Sequence, residues 1–245
     1  MAKIQAVRSR IPKGAGTAAV GSFPEEGFRF LAQLKKHNDR EWFNPRKSEY
    51  KRLVDQPMSE LVHAVSEECR RCGLPLHAKD KAPVMRVYRD VRFSNDKSPY
   101  KTHVAAELRR SFSDSNVVLY LHFSPAESLL GAGVWQPERS LLQAWREAIA
   151  SNLDRFAAMV AGWEAGSLAL TEEYSLASMP RGFQAHSGKP FARWLKLTSF
   201  LAIRRLTRHE CTSPQLLETI VDFADAAKPL FEFGWELERT SAQRR

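Results

Sequence analysis

Cysteine is scarce in this chain of 245 residues: Cys69, Cys72 and Cys211 are the whole supply. Three cysteines cannot form a disulfide scaffold without leaving one over, which fits a reducing compartment. No apolar run approaches the roughly 18 residues of a membrane span, so no helical anchor is expected. The glycine-rich phosphate loop, the dinucleotide glycine motif, the GxSxG elbow and the HExxH pair are also missing. No cofactor is therefore expected, and no motif names a metal site. Acid is absent from the first 24 residues, which hold Lys3, Arg8, Arg10 and Lys13. That arm has no apolar core of the kind a secretory leader needs, so a cytoplasmic protein is expected. Residues 1–22 read as a disordered basic leader and residues 239–245 as a basic tail.

The net charge of +9 resembles a nucleic-acid signature until it is divided. Four of those charges belong to the first 24 residues and three to residues 239–245, which leaves two for the body. Residues 86–103 alone carry five cations and two acids. The charge is local, and a local anion site fits it better than a surface that coats a polynucleotide.

From Phe23 to Gly73 the pattern is helical. Phe28, Leu31 and Leu34 recur at helical spacing. Asn38 or Asp39 can cap a second helix bearing Trp42, Phe43 and Tyr50. Pro57 opens a third, with Leu61, Val62 and Val65 inward and Gly73 as its C-terminal cap. The middle changes period. Residues 84–90, 105–110, 117–123 and 129–135 read as strands, with short connections that favour antiparallel pairing. Helices follow over 139–150 and 153–163, then an irregular stretch, a last strand at 200–206, and helix from Ser213–Pro214 onward. Helices, then strands, then helices describe an α+β single domain over residues 23–238, a largely antiparallel central sheet covered by N- and C-terminal helices.

The segment from Arg86 to His103 stands apart. It places Arg86, Arg89, Arg92, Lys97 and Lys101 among Tyr88, Phe93 and Tyr100, with Asp90 and Asp96 the only acids. The run Tyr88-Arg89-Asp90-Val91-Arg92-Phe93-Ser94-Asn95-Asp96-Lys97-Ser98-Pro99-Tyr100-Lys101-Thr102-His103 resembles the signature of the family catalogued as domain of unknown function 2461. Asn38-Asp39-Arg40-Glu41-Trp42-Phe43, Gly131-Ala132-Gly133-Val134-Trp135-Gln136-Pro137, and Pro180-Arg181-Gly182-Phe183 with His186 resemble further pieces of it. The resemblance covers about residues 23–238. It implies a shared α+β fold and no reaction.

The residue types themselves point to an anion. Arginine offers a planar fork that matches phosphate or carboxylate, and lysine adds a mobile charge. Arg86, Tyr88, Arg89, Arg92, Lys97, Tyr100, Lys101 and Trp135 are the candidate ligand-binding residues. His103 is the acid–base candidate, with Asp90 orienting it or holding an arginine. The expected partner is a phosphorylated small molecule. A nucleic-acid-binding module is the less favoured alternative, and whether the chain is an enzyme is left open. The bland reading is that Asp90 with Arg92, and Asp96 with Lys97 or Lys101, are ion pairs that pin a long loop. Asp90, His103, His122 and His186 match no metal-ligand spacing, and an acid–lysine set from Asp90, Asp96, Lys97 and Glu107 arises readily by chance. Cys69 and Cys72 sit at a helix C-terminus, where thiolate is disfavoured, so they read as packing.

Overall fold

The structure is a computed structural model that describes residues 21–110, 115–165 and 168–243. Residues 1–20 of the expected leader and 244–245 of the tail lie outside the described residues. Gly21 and Phe23 are already docked: the Gly21 carbonyl accepts from Leu217 N–H (3.1 Å), and Phe23 N–H donates to the Cys211 carbonyl (2.9 Å).

Five antiparallel strands run in chain order across one sheet: β1 (Leu76–His77), β2 (Val104–Arg110), β3 (Val117–Phe123), β4 (Ser128–Val134) and β5 (Phe200–Leu206). Side chains alternate along each strand. Val104, Ala106, Leu108, Leu119, Leu121, Phe123, Leu130, Ala132, Phe200 and Ala202 turn to one face and join the core. That face is covered by α1 (Gln56–Arg71), which packs on β1 and β2, and by α2 (Lys228–Gln243), which packs on β3 and β4. Arg239 lies on that last helix. On the opposite face Glu107, Tyr120, Gly131 and Ile203 follow one another in register. Residues of this second face line a cavity.

Several expectations need correction. The strand Leu76–His77 was not expected, and the C-terminal helix does not run on from Ser213–Pro214: Arg208–Thr212 is helical before it, and Leu216–Ala226 and Lys228–Gln243 follow as separate helices. The second helix is not continuous. Asp39 caps Arg40–Phe43, its carboxylate accepting from Trp42 N–H at 2.8 Å, but Asn44–Arg46 is then a 3-10 turn. Pro45 has no N–H to continue the helical ladder, so helix resumes only at Lys47–Tyr50; it then runs on through a π turn (Lys51–Asp55) into α1, so Pro57 does not open a helix of its own. The expected strand at 84–90 is reduced to single bridges, Val84 with Ala106 and Tyr88 with Tyr100. Arg89 N–H donates to the Pro99 carbonyl (2.9 Å), but Pro99 cannot return the bond. The segment is therefore an irregular two-stranded arm that extends from the start of β2.

One backbone position governs the seam between β4 and β5. Gly133 has φ +120, and a Cβ there would stand 2.0 Å from the Phe200 carbonyl oxygen. Gly133→Ala is expected to destabilise by about 3 kcal/mol, because both the dihedral and the contact must relax. Thermal melts should show Tm lower by roughly 10 °C. Gly131→Ala two residues earlier should leave Tm nearly unchanged, since its added Cβ meets nothing closer than 3.6 Å. Equal melting temperatures for the two variants would contradict this.

Candidate functional site

The arm is anchored at Asn38. This residue follows the helix Glu25–Lys36 and does not cap the next one. Its Nδ2 donates to the Tyr100 carbonyl and its Oδ1 accepts from Tyr100 N–H, both at 3.0 Å. Tyr100 is 2 % exposed, and its ring lies 4.1 Å from that of Phe43. Two of the four stretches that carried the resemblance thus meet in one contact. Lys101 N–H then donates to the Val87 carbonyl (2.7 Å), closing the arm one step further on.

The tip of the arm is tied by its own charges. Arg89 pairs with Asp96 and also donates to the Ser98 carbonyl (3.2 Å). Asp96 accepts from Ser98 N–H at 2.9 Å. The Ser98 donors and then Arg89 hold the Asp96 carboxyl down to about 2. Asp90 binds Arg92 through the guanidinium (2.7 and 3.0 Å) and the backbone N–H (3.2 Å). Lys97 Nζ donates to the Val91 carbonyl at 3.0 Å. Phe93 projects from the tip, 95 % exposed.

The candidate residues therefore part into groups. Arg89, Lys101 and His103 line one cleft of about 410 Å³, together with Lys35, Asn38, Asp96, Ser98, Tyr100 and Thr102. On the other side of the arm Tyr88, Arg89 and Tyr100 line a second cleft of about 350 Å³ with Arg40 and Lys47. Asp90, Arg92 and Lys97 line neither; they brace the tip. Arg86 is exposed, and its charge acts on Lys101. Trp135 stands away from the arm, over the uncovered face of the sheet. Lys35 was invisible to sequence reasoning, since a lysine in the last turn of a helix needs only the helix dipole to explain it.

In the 410 Å³ cleft the only carboxylate is Asp96, already engaged by Arg89 and Ser98. Lys101 is half-buried and has no carboxylate partner among the described residues; burial, then Arg86, lowers its pKa. His103 stacks on His122 with ring centres 4.3 Å apart. Burial first, then His122 and Lys101, pushes its pKa from 6.5 to about 4. At neutral pH it is an uncharged imidazole, able to donate one hydrogen bond and accept another. Tyr120 Oη and His122 Nδ1 share a hydrogen bond at 3.2 Å. Among the described residues no three His, Cys, Asp or Glu side chains gather as a metal site would require. His186 lies against Phe183 and Phe191. Cys69 is buried with its thiol pushed up to about 12, in keeping with packing. No helix is long and apolar enough to cross a membrane, among the described residues.

An antiparallel sheet backed by helices on one face, with a braced basic arm at its edge, is the class of molecule these observations define. The family model described as "Conserved hypothetical protein (DUF2461)" matches residues 26–233, and the chain belongs to that family. No curated protein and no solved structure matches the chain.

The buried imidazole makes stability depend on pH. Unfolded His103 protonates near 6.5 and the folded residue near 4. Between those values the unfolded chain binds more protons, so stability falls as pH drops through that window. His122, whose pKa burial also lowers, adds to the slope. His103→Gln is expected to flatten the fall of Tm between pH 6.5 and pH 4. An unchanged profile would show that His103 titrates alike in both states.

Proposed function

We propose that this protein binds a small anionic ligand, of the phosphate-bearing kind, in the cleft between the Glu25–Lys36 helix and the arm. Lys35 and Lys101 supply the charge. The hydroxyl of Thr102 and the neutral His103 supply hydrogen bonds, and His103 is the group placed to take a proton from a bound ligand. Arg89 works mainly on the protein itself, through Asp96, and steadies the cleft wall. The observation that carries the reading is Lys101: a half-buried ammonium beside the like charge of Arg86, with no acid paired to it among the described residues. Desolvating an unpaired cation is unfavourable, and an anion in the cleft removes the penalty.

A purely structural role for the motif has its own support, since Asp90, Arg92, Asp96 and Lys97 are all spent on the tip. That role accounts for the tip and leaves Lys35 and Lys101 unexplained. A polynucleotide is disfavoured because seven of the nine net charges lie in residues 1–24 and 239–245 and only two in the body. The free thiols Cys69, Cys72 and Cys211 support a reducing, cytoplasmic setting.

Inorganic pyrophosphate is the probe. It should raise Tm of the wild-type chain, in line with about 2.7 kcal/mol at a hundredfold excess over Kd. Lys35→Ala with Lys101→Ala should abolish the rise, while Arg40→Ala with Lys47→Ala, in the neighbouring cleft, should preserve it. A rise that survives the first pair, or none in the wild type, would refute the reading. Binding of DNA that weakens steeply with salt would favour the nucleic-acid alternative instead.

A further inference from the structure

The uncovered face of the sheet holds a separate cavity of about 570 Å³, within the range of small-molecule sites. Its floor is flat at Gly131, which lies in register between Tyr120 and Ile203. A Cβ added at Gly131 would come no nearer than 3.6 Å to Tyr120, so a side chain would fit there and the space stands open. Leu129, Val118 and Leu201 extend the apolar floor. One wall is the edge-to-face pair of Trp135 and Tyr174, ring centres 4.3 Å apart. Trp135 nevertheless remains 48 % exposed, unusual for a tryptophan with a core available on the other face.

Two further features distinguish this cavity from a bare sheet face. Glu107 receives both Arg109 donors on Oε2, at 2.6 and 3.2 Å, while its Oε1 meets no donor among the described residues. Arg109 is occupied in turn, its third nitrogen donating to the Ser115 carbonyl at 2.7 Å. The cavity therefore presents a carboxylate oxygen beside an arginine that is largely occupied. Behind Trp135 the backbone is strained: Gln136 has φ 39, and its N–H is held by the hydroxyl of the fully buried Ser199 at 2.9 Å. Strain of this kind persists where its surroundings fix it, often beside a ligand. Here it sets the overhang of the indole ring.

We propose that this cavity binds a small, flat nitrogen heterocycle, its ring lying over Gly131 against Trp135 and Tyr174 and a ring N–H donated to Glu107. The size of the cavity, its flat floor, its aromatic wall and the open oxygen of Glu107 all match that class. The site is distinct from the anion cleft, and its test uses an uncharged probe, so either proposal can fail alone.

Indole and benzofuran, which match in shape but differ in the N–H, make the experiment. In amide chemical-shift titrations of the full chain, indole should move Tyr120, Gly131 and their register partners. Benzofuran should bind about tenfold more weakly, the value of one hydrogen bond. Gly131→Val should abolish both responses by filling the floor. Trp135→Ala, which removes a half-exposed ring, should weaken both and serves if the valine variant does not fold. Shifts that persist in both variants, or no shift at millimolar indole, would overturn the proposal. A dimer in sedimentation that dissociates on Trp135→Ala would also overturn it, by showing the cavity to be a self-interface.

Discussion

One side-chain amide joins the two halves of the site. Asn38 grips both backbone polar groups of Tyr100, donating to the carbonyl and accepting from the N–H at 3.0 Å each. An asparagine amide satisfies a carbonyl and an N–H at once only when the facing backbone is extended and in fixed register. The contact spans 62 residues of sequence, so it sets a tertiary relation that no local preference could. Everything along the arm is then referred to it: Tyr100 beneath Phe43, Lys101 in the cleft that Lys35 also lines, and His103 delivered to the face of His122.

With the arm so anchored, its charges fall into two kinds. At the tip, arginine and lysine are answered by carboxylates and carbonyls a few residues away, and such exposed pairs each contribute little. Their value is collective: a long polar loop is held in one shape without an apolar core of its own. At the base, Lys35 and Lys101 face a cleft whose single acid is already engaged. Two residues that look alike in sequence thus differ in what they are free to do. The neutral imidazole of His103 sits between this cleft and the sheet, stacked on a second imidazole whose pKa burial also lowers.

Much of the scaffold was legible beforehand because period-2 alternation is a local signal. Val117–Phe123 and Phe200–Leu206 match the expected strands, and the helix Arg139–Ser151 extends its expected span by one residue. Proline decided two of the failures: Pro45 splits a helix that hydrophobic spacing alone would continue, and Pro99 keeps the arm from becoming a ladder. The candidate site was legible as a segment and not as a set. Sequence spacing separated Asp90 from Arg89 by nothing, yet Asp90 answers Arg92 and Arg89 answers Asp96. Lys35 enters the cleft only through the fold. Trp135 came from a different run and belongs to a different cavity, because strand β4 carries it to the uncovered face.

Hydrogen exchange in an Asn38→Ala variant tests the central claim most directly. Three arm amides, Arg89, Tyr100 and Lys101, are bonded in the structure to Pro99, Asn38 and Val87. If Asn38 sets the arm, all three should exchange much faster in the variant, while the amides shared between β3 and β4 keep their protection. Unchanged exchange at Arg89 and Lys101 would show that the arm holds its shape without Asn38, and would contradict the account.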